Sequence, residues 1–376
     1  MEKYRPSIYC DLGFLESILS RPENSSDLDN KYLNNSEFTT RIRNLLLSTS
    51  VKLFLNITPE EYNEMQDNIN KKRLKAAKKN KKPDFSQLEK IMYELRLKQN
   101  ECGGYHLKLN SNKIQFDDTL LQDNYMNAMF FSCEPKEICE QAMKDYGIIV
   151  ICKETIEDFS YLLFDQGAAI KKTEYSDWSK CLFSNHEPIP CNSLIIVDNY
   201  ILNDNLKLEE NLIPFFNAIL PKELKSSVIF DITIFARLEK DNAKDTCPFE
   251  IEPKMKKVKE ILKEVRENIN FNLTILKCAK GEFHDRSIAS ANLCIGCGGG
   301  FDLFKDGKSQ KTTTIYAFNP FFIMHNNWSK KAYSDLLNEA STVFKKSQVG
   351  ELPKTQYIAN YIYGVKNNRL LEQIID

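Results

Sequence analysis

Two stretches of the chain carry side chains able to act on a phosphate. In Phe283-His284-Asp285-Arg286 an imidazole and a guanidinium lie two residues apart, so an extended backbone turns both to the same side. An imidazole can attack phosphorus or donate a proton, and a guanidinium holds the phosphate's charge through paired donors. Shortly after comes Ile295-Gly296-Cys297-Gly298-Gly299-Gly300-Phe301-Asp302. Its glycines let the backbone approach a ligand closely and turn N–H groups toward an anion. His284 and Arg286 are therefore the catalytic candidates, and Gly296 and Gly298 are phosphate-binding candidates. Asp198, Tyr200, Asp285 and Asp302 are candidates to support them. The alternative for the same residues is a charge network that pins a loop, with His284 satisfied by Asp302 and Arg286 paired to a carboxylate.

A second signal is electrostatic. From Lys71 to Lys82 the sequence reads KKRLKAAKKNKK, with eight basic residues and no acidic one. The chain's formal net charge is −1, so the remainder without that strip stands at about −9. Lys71, Lys72, Arg73, Lys75, Lys78, Lys79, Lys81 and Lys82 could hold the phosphates of a nucleic acid or an anionic surface. A solvated helix face, or a loop before Pro83, explains the same run without a ligand.

Other patterns carry less. His106-Leu107-Lys108 repeats the His-x-basic spacing but lacks the strand order and glycine turn around His284. Cys294-x-x-Cys297 has no second pair nearby, and Cys133 and Cys139 read as core residues, so no metal site is expected. Gly296-x-Gly298-x-Gly300 does not open a good helix, and no cofactor is expected. Tyr9-Cys10-Asp11 resembles the first strand of a metal nuclease domain, but no matching carboxylate set follows. Tyr357, Tyr361 and Tyr363 read as packing residues.

The elements that must position these residues fall into two parts. Residues 1–190 read as a mainly helical (α+β) N-terminal domain. Thr58-Pro59-Glu60-Glu61 has a cap, a first-turn proline and a capping-box glutamate. Pro83-Asp84-Phe85-Ser86 restarts a helix carrying Leu88, Ile91, Met92 and Leu95, so the basic strip sits at the handover between two helices. Strands are expected at 51–55 and 147–152, a helix near 159–164, and a loop over 166–192. Residues 191–376 read as an α/β domain. Apolar runs at 194–202, 228–235 and 271–276 alternate with helical faces, which calls for a largely parallel sheet covered on both sides. One further strand is expected from Ile288 to Ile295, another over 312–318, then a helix around 332–344 and a strand over 357–365.

The segment from about 193 to 325 resembles the phospholipase D-like superfamily. It is most similar to the degenerate branch in which His-Asp-Arg, a strand and an Ile-Gly turn replace the His-x-Lys and Gly-Ser pattern. That branch includes the C-terminal domain of MIT-domain proteins and phage- or defence-associated bacterial proteins. Ile196-Val197-Asp198-Asn199-Tyr200 resembles its first strand. The resemblance implies a mixed or parallel sheet with flanking helices, and a phosphodiester-binding accessory or effector role in prokaryotic antiviral defence. Active members need two half-sites, one His attacking and the other protonating the leaving group. Here a homodimer would have to supply the second. A dimeric metal-independent nuclease and a module recognising lipid or protein are the alternatives.

Composition bounds these readings. The chain's 376 residues are 42% hydrophobic and 11% aromatic, which excludes a disordered or fibrous protein. Eleven cysteines without framework spacing read as thiols of a reducing compartment. No apolar run is long enough to cross a membrane, and the first residues lack a signal peptide's apolar stretch, so a cytoplasmic location is expected. The expected partners are nucleic acid, held by its backbone, and other defence proteins.

Overall fold

The computed structural model describes residues 5–19, 42–49, 51–102, 105–110, 112–121, 124–155, 165–170, 177–183, 188–202, 205–236, 251–278, 283, 286–298, 301, 303–305, 308–309, 313–320, 327–349 and 361–372. Two compact units divide the chain. One holds Arg5–Ala142 and Ile149–Ser160, the other Met1–Tyr4, Met143–Ile148 and Tyr161–Asp376.

The N-terminal unit is built on a parallel sheet rather than mainly on helices. Strands β1 (Ser7–Asp11), β2 (Lys52–Asn56), β3 (His106–Leu109), β4 (Met129–Phe131) and β5 (Ile149–Ile151) line up in the order β3-β2-β1-β4-β5, every neighbour parallel. The chain winds outward through β2 to β3, then jumps back across β1 to β4. Register places Ile8, Cys10, Leu53, Leu55, Met129 and Phe131 on one face, all buried. Against that face pack α1 (Leu12–Leu19), whose Phe14 ring lies 5.1 Å from Phe131, and α3 (Gln87–Glu101) with Ile91, Met92 and Leu95 buried. Burying such a side chain contributes about 1.5–3 kcal/mol, enough to hold strands of three to five residues that have little stability alone.

The helices between β2 and β3 start where their caps dictate. In α2 (Pro59–Lys78) the Thr58 side chain accepts from the Glu61 N–H while Glu61 reaches back to the Thr58 N–H, and Ser86 and Glu89 do the same for α3. The connection from β3 to β4 differs. Among its described residues it has only two short 3₁₀ turns, Asp118–Leu121 and Asn124–Asn127, and no α-helix. The second face of the sheet, with Tyr9, Phe54 and Phe130 in register, is accordingly only partly covered. The helix α4 (Lys136–Tyr146) then joins β4 to β5. Gly147 ends it at φ +61°, where a Cβ would meet the Cys191 carbonyl oxygen at 2.2 Å, so only glycine fits.

The C-terminal unit carries a mixed nine-stranded sheet. Its strands are β6 (Asp165–Ile170), β7 (Ser193–Val197), β8 (Ile229–Ala236), β9 (Asn270–Lys277), β10 (Ser287–Ala289), β11 (Cys294–Cys297), β14 (Thr313–Phe318), β15 (Gln348–Val349) and β16 (Tyr361–Gly364), with β12 (Phe304–Lys305) and β13 (Lys308–Ser309) forming a separate hairpin. The order is β15-β16-β9-β8-β7-β10-β11-β14-β6. The run β7–β8–β9 is parallel, with α6 (Asn205–Ile219) and α7 (Ile251–Val265) as its crossovers; α5 (Trp178–Phe183) precedes β7. From β7 outward through β10, β11, β14 and β6 the pairing is antiparallel. Ile195, Val197 and Phe235 pack with Leu337, Ala340 and Phe344 of α8 (Asn327–Lys346) and Leu370 of α9 (Arg369–Glu372). Leu194, Ile196 and Ile234, of opposite parity and equally buried, point to the other face.

Two expectations fail here. The stretch from Ile288 to Ile295 is two antiparallel strands, because Ser290 closes a tight turn: its N–H donates to the Leu293 carbonyl and its Oγ accepts from the Asn292 N–H. The expected loop over 166–192 contains strand β6 and helix α5, whose Trp178 is buried against Phe215, Phe301 and Phe304. The helix expected near 159–164 lies outside the described residues.

Candidate functional site

The register of β10 on β7 sets Ser287 opposite Val197, and so delivers Arg286 beside Asp198 at the carboxyl end of β7. Arg286 Nε lies 3.8 Å from Asp198 Oδ1, with the Asp198 side chain 4% exposed and that of Arg286 25%. At that separation the pair is electrostatic rather than hydrogen-bonded, so the guanidinium fork is not fully committed. Asp198 also accepts the Tyr200 N–H at 2.8 Å, which folds the chain back and sets the Tyr200 ring 5.1 Å from the guanidinium carbon. Asn199 Nδ2 donates to the Phe283 carbonyl at 3.1 Å and ties the segment before Arg286 to this turn. Of the residues singled out in this unit, Arg286, Asp198 and Tyr200 thus come together. His284, Asp285 and Asp302 lie outside the described residues.

The glycines are placed differently from an anion cradle. Gly296 sits inside β11, paired to Ser287 on one side and Tyr316 on the other. The Gly298 N–H points to the Thr314 carbonyl at 3.4 Å. Neither has a positive φ. Cys294 and Cys297 are buried in the same strand, and burial pushes the Cys294 thiol far up. Tyr361 and Tyr363 pack edge-on, 4.8 Å apart, on β16.

The basic strip occupies the end of α2 and the turn after it. Past Ile69, the last buried side chain of that helix, the residues from Lys71 to Lys82 are exposed apart from half-buried Ala76. Lys72 Nζ meets Glu89 at 2.7 Å and the Arg73 guanidinium lies 4.8 Å from the Tyr93 ring centroid. Among the described residues Lys71, Lys75, Lys78, Lys79, Lys81 and Lys82 have no carboxylate partner. Leu74 stands 64% exposed in their midst. Like charges four residues apart oppose a helix; here the negative end of the helix dipole offsets part of that cost. Asn80 closes the turn at φ +49°, a conformation asparagine tolerates better than most residues.

A third constellation was not singled out in full from the sequence. At the carboxyl end of the parallel sheet, Asp11 closes β1 and accepts from Asn56 Nδ2 at 3.0 Å, the Cys133 N–H at 3.0 Å and Ser132 Oγ at 3.3 Å. Burial first, and then the Asp11 carboxylate, pushes the Cys133 thiol up. Lys113 pairs with Glu134 close by, which raises its ammonium. Asn56 and Ser132 are the polar side chains beside Asp11 at the neighbouring strand ends, and no group of three metal-ligating side chains occurs among the described residues. The signal that could have found Asn56 and Ser132 is a polar residue closing a short apolar strand. His106-Leu107-Lys108 forms β3 of this sheet, with Lys108 Nζ 5.6 Å from the Phe54 ring centroid.

Comparison with protein-family models and with curated proteins finds no match. No helix among the described residues is long and apolar enough to cross a membrane.

Proposed function

We propose that this protein binds phosphodiester backbone without reading base sequence, as an accessory or effector component of a prokaryotic antiviral defence system. The observation that carries the reading is the projecting end of α2, where six lysines without a carboxylate partner surround an exposed leucine. Unpaired, closely spaced cations release the counterions of a phosphate backbone when they bind it, and gain affinity by doing so. They carry no base-edge geometry, so they position a strand without specifying it.

The phospholipase D-like reading of the C-terminal unit belongs to the same proposal. It is supported by the alternation of β7, β8 and β9 with helices and by Arg286 entering beside Asp198. Because Arg286 faces Asp198 and Tyr200, we read it as a secondary phosphate contact in a non-catalytic site. The enzymatic reading, with His284 as nucleophile and a homodimer completing the site, is favoured by one feature, the incomplete commitment of the Arg286 donors. The deciding experiment titrates labelled single- and double-stranded DNA and RNA in excess EDTA with wild type, His284→Ala and Lys78→Gln/Lys79→Gln/Lys81→Gln/Lys82→Gln. Sequence-indifferent binding that survives His284→Ala and drops in the lysine variant is expected. Cleavage by wild type and not by His284→Ala replaces the binding role with a nuclease. Failure of every nucleic acid to bind at low salt defeats both.

A further inference from the structure

The partly covered face of the N-terminal sheet has a chemistry of its own. Tyr9, Phe54 and Phe130 share one register line across β2, β1 and β4. Their ring centroids are 4.4 Å and 5.3 Å apart and their planes are within 14° and 17° of parallel. Those spacings bracket the distance between strands, so the rings stand upright on the sheet and stack on one another, with Tyr9 and Phe54 half-buried, Phe130 buried, and Tyr125 set edge-on to Tyr9 at 4.9 Å. Ring edges carry the positive part of the aromatic quadrupole and attract the face of another ring. Phe116, from the β3–β4 connection, already makes such a contact, 82° to Phe130 at 5.5 Å.

The same rings line a shallow cleft that also takes in Asp11, Asn56, Asn110 and Ser132 and opens to solvent. It lies at the carboxyl ends of β1, β2 and β4, where the winding of the sheet reverses between β1 and β4, the place at which open parallel sheets take ligands. An aromatic floor with a few polar groups at one edge suits a flat ring that also exchanges hydrogen bonds. Asn110 Nδ2 offers a donor and Asn56 Oδ1 an acceptor, while Asp11 Oδ1, which accepts from Asn56 Nδ2, keeps a lone pair for an amino or imino N–H. Exposed Lys108, beside Phe54, is within the same face.

We propose that this cleft binds a single nucleobase, its face over the aromatic edges and its polar edge on Asn56 and Asp11. The base could belong to a free nucleotide or to an unpaired position of a single strand. The inference does not rest on backbone binding by the α2 strip, since a mononucleotide suffices for it.

The test is isothermal titration of the full chain with AMP, CMP and ribose 5-phosphate at high salt, where contacts to the lysine strip are screened. The nucleotides are expected to bind and the ring-less sugar phosphate not to. An edge-to-face aromatic contact contributes modestly beyond its burial, so Phe54→Leu should weaken binding about fivefold, and Asn56→Ala should weaken it less. The lysine-strip variant should bind nucleotides as wild type does. If Phe54→Leu does not fold, saturation-transfer NMR on wild type decides, with base protons expected to receive more transfer than ribose protons. A single-stranded tetranucleotide separates the two sources: tighter binding than AMP points to a strand, equal binding to a free nucleotide. Absence of nucleotide binding at millimolar concentration, equal binding of ribose 5-phosphate, or folded Phe54→Leu and Asn56→Ala proteins binding as wild type would each overturn the proposal.

Discussion

Each unit closes a parallel strand on an aspartate at the centre of its sheet, Asp11 after β1 and Asp198 after β7, and the two carboxylates are used in opposite ways. Asp11 is held by donors that carry no charge, an asparagine amide, a serine hydroxyl and a backbone N–H. Its nearest cation, Lys113, is paired with Glu134, and the cleft beside it is open. Asp198 is almost fully buried and faces a guanidinium, which Tyr200 covers from the other side. The same strand-end position therefore yields an open cleft in one unit and a buried carboxylate facing a guanidinium in the other. What decides between them lies elsewhere in each sheet. The β3–β4 connection, with no α-helix among its described residues, leaves the first open, and the β10 register inserts a cation into the second.

That contrast predicts unequal responses to mutation. The largest effect belongs to Arg286→Ala, which removes the guanidinium facing the buried Asp198 carboxylate. We expect a loss of about 3 kcal/mol of unfolding free energy in urea, whereas Arg286→Lys should lose less. A folded Arg286→Ala protein of unchanged stability would make the arginine a ligand group and dissolve the contrast. Next comes Asp11→Asn, which turns a charged acceptor of three donors into an amide that can satisfy fewer of them. A loss of about 2 kcal/mol is expected, with the sheet retained by circular dichroism.

The same substitution has a chemical signature. In wild type the raised Cys133 pKa, due first to burial and then to Asp11, keeps the exposed thiol protonated at pH 8, so alkylation should still be accelerating above pH 9. Removing the Asp11 charge lowers that pKa and should speed alkylation at pH 8 by roughly two- to fivefold. An unchanged rate would mean that the carboxylate does not act on the thiol. The smallest effect is Thr58→Ala. It breaks the capping box of α2 and should cost about 1 kcal/mol, without changing phosphate binding at the far end of that helix.

What the sequence discloses follows from how local each signal is. Thr58, Pro59 and Glu61 determine a helix start among themselves, and it is present; the second start, expected at Pro83–Ser86, falls at the last of those residues, where Ser86 caps the helix with Glu89. The handover carrying the lysines follows from them. The five-stranded sheet is legible in part: strands expected at 51–55 and 147–152 are present, whereas Met129–Phe131 is a three-residue apolar run with no period to distinguish strand from helix. Its identity comes from parallel neighbours far away in sequence. Arg286 is singled out by its spacing from His284, yet its approach to Asp198 depends on the β7–β10 register, which no local pattern encodes. Asn56 and Ser132 become site residues only when three strand ends meet at Asp11.

The account's central claim, backbone binding by the end of α2, is tested most directly by the salt dependence of affinity. The observed association constant for a random-sequence duplex is measured across a range of salt concentrations for wild type and for Lys78→Gln/Lys79→Gln/Lys81→Gln/Lys82→Gln. Each lost phosphate contact should make the logarithmic slope shallower by about 0.9. A steep wild-type slope is expected, and one shallower by several such steps in the variant. Identical slopes, or wild-type binding that does not respond to salt, would contradict it.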